Sequence, residues 1–354
     1  MRHAVIFGGA GFIGSNVAHR LLAEGQRVVI FDSLARAGVE RNVAWLKAEH
    51  GDRVRVQVGD VRDAEGVRRA VRGAGQVFHF AAQVAVTTSL VDPLQDFEVN
   101  ARGTINVLEA IRAQETRPSL VFTSTNKVYG GLTDLALRVT GRRYEPIDAA
   151  TRLRGVSEAR PLDFESPYGC SKGCADQYVL DYARTYGVPA VVFRMSCIYG
   201  PRQFGTEDQG WVAHFLIRAL HGQPITLYGD GMQVRDVLFV DDLVEAMLRA
   251  HAGMQRLSGQ VFNIGGGPER SLSLLELLQL IGELNGRLPE VRIEQWRTGD
   301  QRYYVSDTRK FRNATGWAPA VSVRDGVRRL QAWLCGLGER VAGKPAHNDE
   351  ATAG

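Results

Sequence analysis

Short apolar runs alternate with amphipathic stretches over the first 195 residues of the chain. Almost continuously apolar runs are typical of parallel strands that are covered on both faces. Amphipathic periodicity between the runs predicts helices at 43–49, 64–71, 94–113 and 171–186. This alternation predicts an α/β fold with a doubly wound parallel sheet. The predicted strands are residues 4–7, 28–31, 54–58, 76–80, 119–123 and 189–194.

The second half of the chain has a less regular pattern. Helical periodicity recurs at 210–221, 241–251, 271–284 and 325–334, with short apolar runs at 237–240 and 261–265. We expect one domain from residues 1–196 plus 236–267 and a smaller α/β domain from 197–235 plus 268–340. Residues 341–354 are small and polar, which predicts a disordered tail.

A long stretch at 132–165 interrupts the alternation. It is rich in arginine and turn residues and lacks clear periodicity. Connections of this length inside a compact domain are usually functional or ordered by packing. We therefore predict a functional lid or an ordered excursion, with a mobile surface loop as the alternative.

Three glycines follow the first predicted strand, and a helical pattern follows them. Gly8, Gly11 and Gly14 have the spacing G-x-x-G-x-x-G, and Asp32 ends the next strand 21 positions after Gly11. A strand turning into a helix leaves free N–H groups that favour a pyrophosphate, and a later acid suits a ribose diol. The pattern predicts a Rossmann-type NAD-binding domain. A capping turn with a loop aspartate is the alternative.

The acid at the second strand end also bears on the choice of dinucleotide. A carboxylate accepts hydrogen bonds from a ribose diol and repels a 2′-phosphate, so Asp32 favours NAD over NADP. Arg36 follows four residues later and could contact a phosphate. Asp60 follows the third strand, where it could accept from the adenine amino group or cap the helix that begins at Ala64.

Ligands of open α/β sheets bind beyond the carboxyl ends of the strands. The residues just after each predicted strand are therefore the candidates for holding the cofactor. The small residues Ala81 and Ala82 would let it pass close to the backbone. The predicted cofactor-binding residues are Gly8, Gly11, Phe12, Ile13, Gly14, Asp32, Ser33, Arg36, Asp60, Val61, Phe80, Ala81, Ala82, Gln83, Asn100, Thr123, Tyr168 and Lys172.

Composition narrows the class of protein. The chain has 354 residues, a net charge of +4 and scattered arginines, so we expect no nucleic-acid partner. No apolar run approaches the ~20 residues of a membrane-spanning helix, and we expect no membrane partner. A strand begins almost at the N-terminus, which leaves no room for a signal peptide and predicts a cytoplasmic protein. Its four cysteines are expected to be reduced packing residues, and no metal site is predicted.

A tyrosine and a lysine four residues apart are the main candidates for chemistry. Tyr168 and Lys172 share one face of a predicted helix. A nearby ammonium lowers the pKa of a phenol, and the positive nicotinamide of oxidised NAD would act in the same direction. The pair could thus take a proton from a sugar hydroxyl near neutral pH. An ordinary exposed pair is the alternative, but the dinucleotide pattern before it favours catalysis.

With these motifs the chain resembles the extended short-chain dehydrogenase/reductase family, which includes NAD-dependent epimerases and dehydratases of nucleotide sugars. Thr125 lies four residues before Tyr129, as in that family, and 229–236 matches its G-x-G-x-Q-x-R-D motif. The resemblance implies that Arg235 and Arg302 contact a diphosphate. It also implies a homodimer or tetramer built on helices 94–113 and 171–186. The expected substrate-binding residues are Thr125, Asn126, Lys127, Gln209, Gly210, Arg235 and Arg302.

The residues after the predicted threonine distinguish the reactions of this family. The 4,6-dehydratases have Asp-Glu there, whereas this chain has Asn126 and Lys127, and an amide cannot act as the acid of an elimination. The resemblance therefore implies epimerisation of a nucleotide sugar through a keto intermediate, at C2 of a CDP-hexose. The expected catalytic residues are Thr125, Tyr168, Lys172, Ser124 and Asn126. A UDP-hexose 4-epimerase or another nucleotide-sugar oxidoreductase is the alternative, and a non-catalytic NAD-binding sensor is a third.

Overall fold

A computed structural model of the protein describes residues 3–297 and 299–342. The last helix runs to Ala342, so nearly all of the predicted tail lies outside the described residues. The strands are β1 His3–Phe7, β2 Val28–Asp32, β3 Val54–Val58, β4 Ala74–His79, β5 Ser119–Thr125, β6 Leu137–Thr140, β7 Arg143–Pro146, β8 Ala190–Met195, β9 Cys197–Tyr199, β10 Ile225–Tyr228, β11 Val234–Phe239, β12 Gln260–Ile264, β13 Ser271–Ser273, β14 Val291–Glu294 and β15 Tyr303–Tyr304.

The helices lie between these strands along the chain. Three 3₁₀ turns and one π-helical turn, Glu98–Arg102, interrupt the α-helical segments in the described residues. The α-helices are α1 Phe12–Ala23, α2 Val39–His50, α3 Ala64–Val71, α4 Val86–Val91, α5 Pro93–Phe97, α6 Gly103–Arg112, α7 Ala149–Arg154, α8 Ser166–Tyr186, α9 Trp211–Leu220, α10 Val240–Ala252, α11 Met254–Leu257, α12 Leu274–Asn285, α13 Arg309–Thr315 and α14 Val323–Ala342.

Seven parallel strands form the central sheet, in the order β12-β8-β5-β4-β1-β2-β3. Side chains of β1 alternate between the two faces. Ala4 and Ile6 belong to one buried cluster, and Val5 and Phe7 belong to another. The sheet is therefore buried on both faces, and the predicted Rossmann-type doubly wound fold is confirmed.

Two predicted helices differ from the observed ones in ways that affect the site. The helix expected at 171–186 begins at Ser166, which brings Tyr168 into its first turn. The helix expected at 94–113 is divided into α5, the π-helical turn and α6. Amphipathic periodicity does not reveal such a turn, because inserting one residue changes the helix face by only part of a turn.

The later elements form smaller sheets beside the carboxyl ends of the central strands. β10 pairs with β14, and β11 pairs with β9, β13 and β15. Helices α9, α12 and α14 contribute to a third buried apolar cluster that includes Leu216, Ile281 and Leu330. This part combines parallel and antiparallel strand pairs in short strands, which explains its irregular sequence pattern.

The stretch 132–165 is an ordered excursion. It forms the hairpin β6–β7 and helix α7. Tyr144 N donates to Met232 O at 3.0 Å, and Val156 N donates to Val305 O at 2.7 Å. Arg143 forms an ion pair with Glu276 at 2.8 Å. The excursion therefore packs along the second half of the chain, which agrees with the prediction of an ordered excursion and not with that of a mobile surface loop.

None of the helices among residues 3–297 and 299–342 is long and apolar enough to span a bilayer.

Candidate active site

Each of the three glycines in the turn from β1 into α1 is required for a different reason. Gly8 has φ +75°, and a Cβ there would lie 2.6 Å from Ala81 N. A Cβ on Gly14 would lie 2.3 Å from Gly8 O, so Gly14 is required by packing of the turn against the helix. A Cβ on Gly11 meets only Gly8 O, at 3.2 Å, and Gly11 lines an open cleft. Gly11 thus keeps space free for a ligand.

The carboxylate at the end of β2 is fixed by the backbone of this turn. Asp32 Oδ2 accepts from Ala10 N at 3.0 Å, and Oδ1 accepts from Leu34 N at 2.9 Å. Each carboxylate oxygen has a further lone pair for a second donor. Asp32 lines the cleft beside Ser33 and Arg36, in the arrangement expected for a ribose-binding acid.

The carboxylate after β3 does not cap the following helix. Asp63 occupies that position and accepts from Glu65 N at 3.1 Å, so the capping alternative for Asp60 is wrong. Asp60 instead pairs with Arg62, with 2.7 Å between Arg62 Nη2 and Asp60 Oδ2. Hydrogen bonds from Arg62 hold the pKa of the Asp60 carboxyl below its usual value. Both side chains line the cleft, so the adenine role of Asp60 stays a prediction.

One large cleft of about 1010 Å³ runs along the carboxyl edge of the sheet. It is lined by residues at or just after the carboxyl ends of β1, β2, β4 and β5 and by the second half of the chain. Its volume is at the upper end of the range for ligand pockets. The predicted residues that line it are Gly8, Gly11, Phe12, Ile13, Gly14, Asp32, Ser33, Arg36, Asp60, Val61, Phe80, Ala81, Ala82, Gln83, Thr123, Ser124, Thr125, Asn126, Lys127, Tyr168, Lys172, Gln209, Gly210 and Arg235.

Two predicted site residues do not line this cleft. Asn100 is buried beneath it, where Asn100 Oδ1 accepts from Gln83 N at 2.9 Å and Nδ2 donates to Gln83 O at 3.0 Å. Arg302 is exposed, and its guanidinium lies 5.6 Å from the ring centre of Trp296, which does line the cleft. Asn100 therefore holds the loop after β4 from below, and the cofactor role of Asn100 and the diphosphate role of Arg302 stay predictions.

The tyrosine and lysine of α8 both line the cleft and are both buried. Lys172 Nζ donates to Thr123 O at 2.7 Å and lies 4.4 Å from the ring centre of Phe122. Burial lowers the pKa of Lys172 to about 8, although Asp176 and Asp96 act in the opposite direction. The amine is thus still mainly an ammonium at neutral pH.

The pKa of the tyrosine is not lowered as expected. Burial raises the pKa of Tyr168 to about 12, a hydrogen bond with Thr125 lowers it, and Asp96 raises it. Lys172 is not among the causes of the shift, because its amine is directed at the carbonyl of Thr123. The expected lowering of the pKa of Tyr168 by Lys172 is not found in this arrangement, and Thr125 is the group that lowers this pKa.

The end of β5 presents a row of polar side chains to the cleft. Ser124 Oγ is buried and has no hydrogen-bond partner among the described residues. Thr125 Oγ1 accepts from Lys127 N at 3.2 Å. Asn126 Nδ2 donates to Gln301 Oε1 at 2.9 Å, and Gln301 Nε2 donates to Gly130 O at 2.6 Å. The amide of Asn126 is thus held by its neighbours and offers no acid.

Two cations of the predicted substrate set meet at one loop. Lys127 Nζ donates to Gly299 O at 2.8 Å, and burial lowers the pKa of Lys127 to about 8. Arg235 Nη2 donates to Asp300 Oδ1 at 2.6 Å. Both cations line the cleft. The substrate-binding role of these two cations stays a prediction.

Sequence reasoning missed several residues at the mouth of the cleft. The ring of Tyr228 lies 3.7 Å from the guanidinium of Arg297, which also pairs with Glu207 and Asp208 at 3.4 and 3.3 Å. All four line the cleft with Trp296. They come from separate irregular segments, so no local spacing marked them.

One group in the described residues has the composition of a metal site, and it lies elsewhere. The ligand atoms of His19, Glu49 and His50 lie within 4.8 Å of one another, and none of these residues lines the cleft. His19 Nδ1 and His50 Nε2 are 2.9 Å apart, and Arg53 Nη2 lies 3.5 Å from His50 Nδ1. Hydrogen bonds within the group account for these contacts, and the prediction of no metal stays a prediction.

The residues present fit a dinucleotide. Gly11 leaves space at the start of α1, Asp32 stands at the next strand end, and the unpaired hydroxyl of Ser124 faces the same cleft. A buried hydroxyl without a partner is costly unless a ligand satisfies it. Together with the fold and the Tyr168–Lys172 pair, these features define an NAD-binding enzyme of the Rossmann type.

Comparison with known proteins gives the same result. The model of the NAD dependent epimerase/dehydratase family matches residues 4–265, and the chain belongs to this family. It is 43% identical over 343 residues to a CDP-paratose 2-epimerase from Salmonella typhi, covering 94% of this chain and 99% of the relative. A dTDP-glucose 4,6-dehydratase from Streptomyces griseus is 34% identical, covering 94% and 93%.

Among solved structures, a UDP-glucose 4-epimerase from Thermus thermophilus in complex with NAD is similar with a TM-score of 0.79 and 36% identity. The alignment covers 95% of this chain and 99% of that one. The predicted resemblance, the enzymatic nature of the protein and NAD as its cofactor are confirmed.

Proposed function

We propose that the protein is an NAD-dependent isomerase that inverts C2 of a CDP-activated hexose through a transient keto sugar. The observation that carries the proposal is the shared cleft of Tyr168, Lys172 and Thr125, with Asn126 and Lys127 in place of an acid pair. The similarity to a CDP-paratose 2-epimerase supports the choice of nucleotide and carbon. CDP-paratose and CDP-glucose are the candidate substrates.

The residues of the chain have distinct roles in this proposal. NAD, when bound, supplies a hydride acceptor, a hydride donor and the positive charge of its oxidised ring. In its phenolate form, which the positive charge of oxidised NAD would favour, Tyr168 would take the proton of the reacting hydroxyl and return it after the sugar presents its other face. Thr125 holds the phenol and the reacting oxygen in one hydrogen-bond chain, with Ser124 as the neighbouring donor. Lys172 keeps positive charge beneath the site.

Elimination of water is poorly supported by the same residues. It needs an acid for the leaving hydroxyl as well as a base. Asn126 has no acidic proton, and the amine of Lys127 is bound to Gly299 O. A transient oxidation followed by re-reduction needs neither group, so epimerisation is the reaction that this site supports.

A UDP-hexose 4-epimerase is the second candidate. The similarity to the Thermus thermophilus UDP-glucose 4-epimerase favours it. Tyrosine, lysine and threonine would keep the same roles, since only the carbon held near them would differ. The two candidates are therefore separated by substrate and not by the catalytic residues.

Isotope retention tests the proposed reaction. In deuterated water, CDP-paratose or CDP-glucose is expected to give a C2-inverted product with little deuterium at C2, because the hydrogen leaves and returns inside the cleft. Carbon-13 and proton NMR of the product would measure the configuration at C2 and the deuterium content of that carbon. UDP-glucose is the matched control, and inversion at its C4 with no turnover of any CDP-hexose would select the second candidate. Release of NADH during turnover would indicate a net dehydrogenase instead.

We also propose that the protein is a homodimer formed through α5, the π-helical turn, α6 and α8, as the family resemblance implies. Large apolar side chains are exposed beside α8: Val91 is 86% exposed, Leu94 77% and Phe97 48%, and Tyr178 on α8 is 42% exposed. Exposed apolar side chains grouped on packed helices mark interaction surfaces. A tetramer is an alternative outcome.

The variant Leu94→Glu tests this surface. A charge placed inside an apolar interface is desolvated, so the variant is expected to elute as a monomer where the wild type elutes as a dimer. Light scattering coupled to gel filtration gives both masses. Leu153→Glu on α7 is the control, since Leu153 is also 73% exposed but lies outside these helices. A monomeric wild type would contradict the proposal.

A cytoplasmic location is part of the same proposal. Cys170, Cys174, Cys197 and Cys335 are all free. Unpaired cysteines fit a reducing compartment, and NAD-linked sugar chemistry fits it as well.

A further inference from the structure

A fully buried carboxylate lies beneath the proposed active site, and the proposed mechanism does not use it. Asp96 on α5 has no exposed surface. A buried charge is retained only where hydrogen bonds or an ion pair compensate its desolvation. Among the described residues, no arginine or lysine forms a salt bridge with Asp96. Burial raises the pKa of the Asp96 carboxyl, and hydrogen bonds from Ser171 and Gln83, together with the charge of Lys172, act in the opposite direction.

Three donors from three different segments surround this carboxylate. Gln83 Nε2 donates to Asp96 Oδ1 at 2.8 Å, and Asn100 Nδ2 donates to the same oxygen at 3.1 Å. The hydroxyl of Ser171 donates to Asp96 Oδ2. Gln83 belongs to the loop after β4 that lines the cleft, Asn100 lies in the π-helical turn, and Ser171 lies in α8. The carboxylate thus joins the cofactor loop to the catalytic helix.

The link reaches the two residues proposed for chemistry. Ser171 is the residue before Lys172, and its hydroxyl oxygen also lies 3.3 Å from Tyr168 O. The π-helical turn allows Asn100 to face Asp96, Ser171 and Gln83 together. Such turns are frequent at functional sites because they redirect one side chain inside a helix.

We propose, resting on the function proposed above, that Asp96 is a positioning residue: through Ser171 it anchors the start of α8 and keeps Lys172 directed at Thr123 O. Asp96 acts from below the cleft, which it does not line. Its negative charge also favours the ammonium form of Lys172.

The charged and titratable groups that face Lys172 come from α8, β4 and α5. Asp176 on α8 is the larger acidic influence, but it pairs with Arg194 of β8 at 2.8 Å and its charge is compensated. His79 of β4 is neutral, because burial and Lys172 lower its pKa to about 3. Tyr168 keeps its proton. Asp96 is the remaining group, and it forms no salt bridge among the described residues, so its charge is not compensated by an arginine as that of Asp176 is.

Lysine NMR tests the proposal without any substrate. The chain has only five lysines, so the full-length protein labelled with carbon-13 at lysine Cε gives few signals, and Lys172→Arg assigns the relevant one. Burial lowers the pKa of Lys172 to about 8, so its titration midpoint is expected near that pH in the wild type and at lower pH in Asp96→Asn, which keeps the shape and removes the charge. The midpoint of Lys127, also about 8, is expected to stay and serves as the internal control.

The pH profile gives a second readout. Below its pKa Lys172 is an ammonium and above it a neutral amine, so a lower midpoint removes the charge from a pH window just below about 8. The loss of kcat in Asp96→Asn is therefore expected to be larger near pH 8 than near pH 6. Glu98→Gln is the matched control, because Glu98 is a partly exposed acid of the same segment paired with Arg102.

Ser171→Ala breaks the link and leaves the charge. It is expected to lower kcat at least tenfold across the pH range without moving the titration midpoint of Lys172. If Asp96→Asn does not fold, this variant tests the positioning role on its own. An unchanged Lys172 midpoint in Asp96→Asn, an equal shift of Lys127, or wild-type kcat in Ser171→Ala would each overturn the proposal. Failure to convert any CDP-hexose would refute the proposed function and leave the NMR result standing.

Discussion

Tyr168→Phe is expected to lower kcat by about 10² to 10⁴, the usual contribution of a positioned acid or base. The variant removes one oxygen and keeps the ring that packs in the first turns of α8. Proton transfer from the reacting hydroxyl then has no acceptor, because Thr125 is a poor base. The Lys172 amine cannot replace the phenol, since it is directed at Thr123 O.

The same variant should retain the cofactor and the fold. NAD affinity, measured by fluorescence quenching, and the melting temperature are expected to stay close to those of the wild type. Tyr178→Phe is the matched control on the same helix, where the side chain is 42% exposed and should not affect turnover. Turnover of Tyr168→Phe within a few-fold of the wild type would show that another group is the base.

Gly11→Ala is expected to weaken NAD binding about 10- to 100-fold while the protein stays folded. The backbone of Gly11 is extended, with φ −67° and ψ 176°, so alanine is tolerated there. The added methyl would lie in the cleft at the start of α1, where it blocks the close approach of a pyrophosphate. A steric cost of about 1–3 kcal/mol corresponds to this loss of affinity.

Two other glycines make the test specific. Gly14→Ala should prevent folding, since its Cβ would lie 2.3 Å from Gly8 O and 2.6 Å from Gly9 Cα. Gly336→Ala on α14 should leave both stability and affinity near wild type, because a Cβ there meets nothing within 4 Å. Isothermal titration with NAD and a thermal melt compare all three variants. Wild-type affinity in Gly11→Ala would show that the cofactor does not pass this turn.

The central sheet could be predicted because its signal is local. Continuous apolar runs such as β1 and β5 arise from burial on both faces, and each strand was located within a few residues. The strand-end rule then brought Asp32 and Thr125 to one edge although they are far apart in sequence. Parallel topology makes such distant residues neighbours without any local contact between them.

Contacts between irregular segments could not be predicted in the same way. The stacking of Arg297 on Tyr228 and the binding of Lys127 to Gly299 O depend on how loops fold over the cleft, and loops carry no periodic pattern. The pKa of Tyr168 was misjudged for a related reason. Helical spacing places Lys172 on the same face, but only the structure shows that its amine reaches Thr123.

The excursion 132–165 has a mechanical consequence. It is bonded to Met232 in the turn before β11 and to Glu276 in α12, and Glu158 Oε1 accepts from Asn263 N of the central sheet at 2.7 Å. A movement of the second half of the chain away from the central sheet would break all of these bonds at once. We therefore expect the nucleotide sugar to enter through rearranged side chains at the entrance of the cleft. The central sheet and the second half of the chain are expected to keep a constant separation.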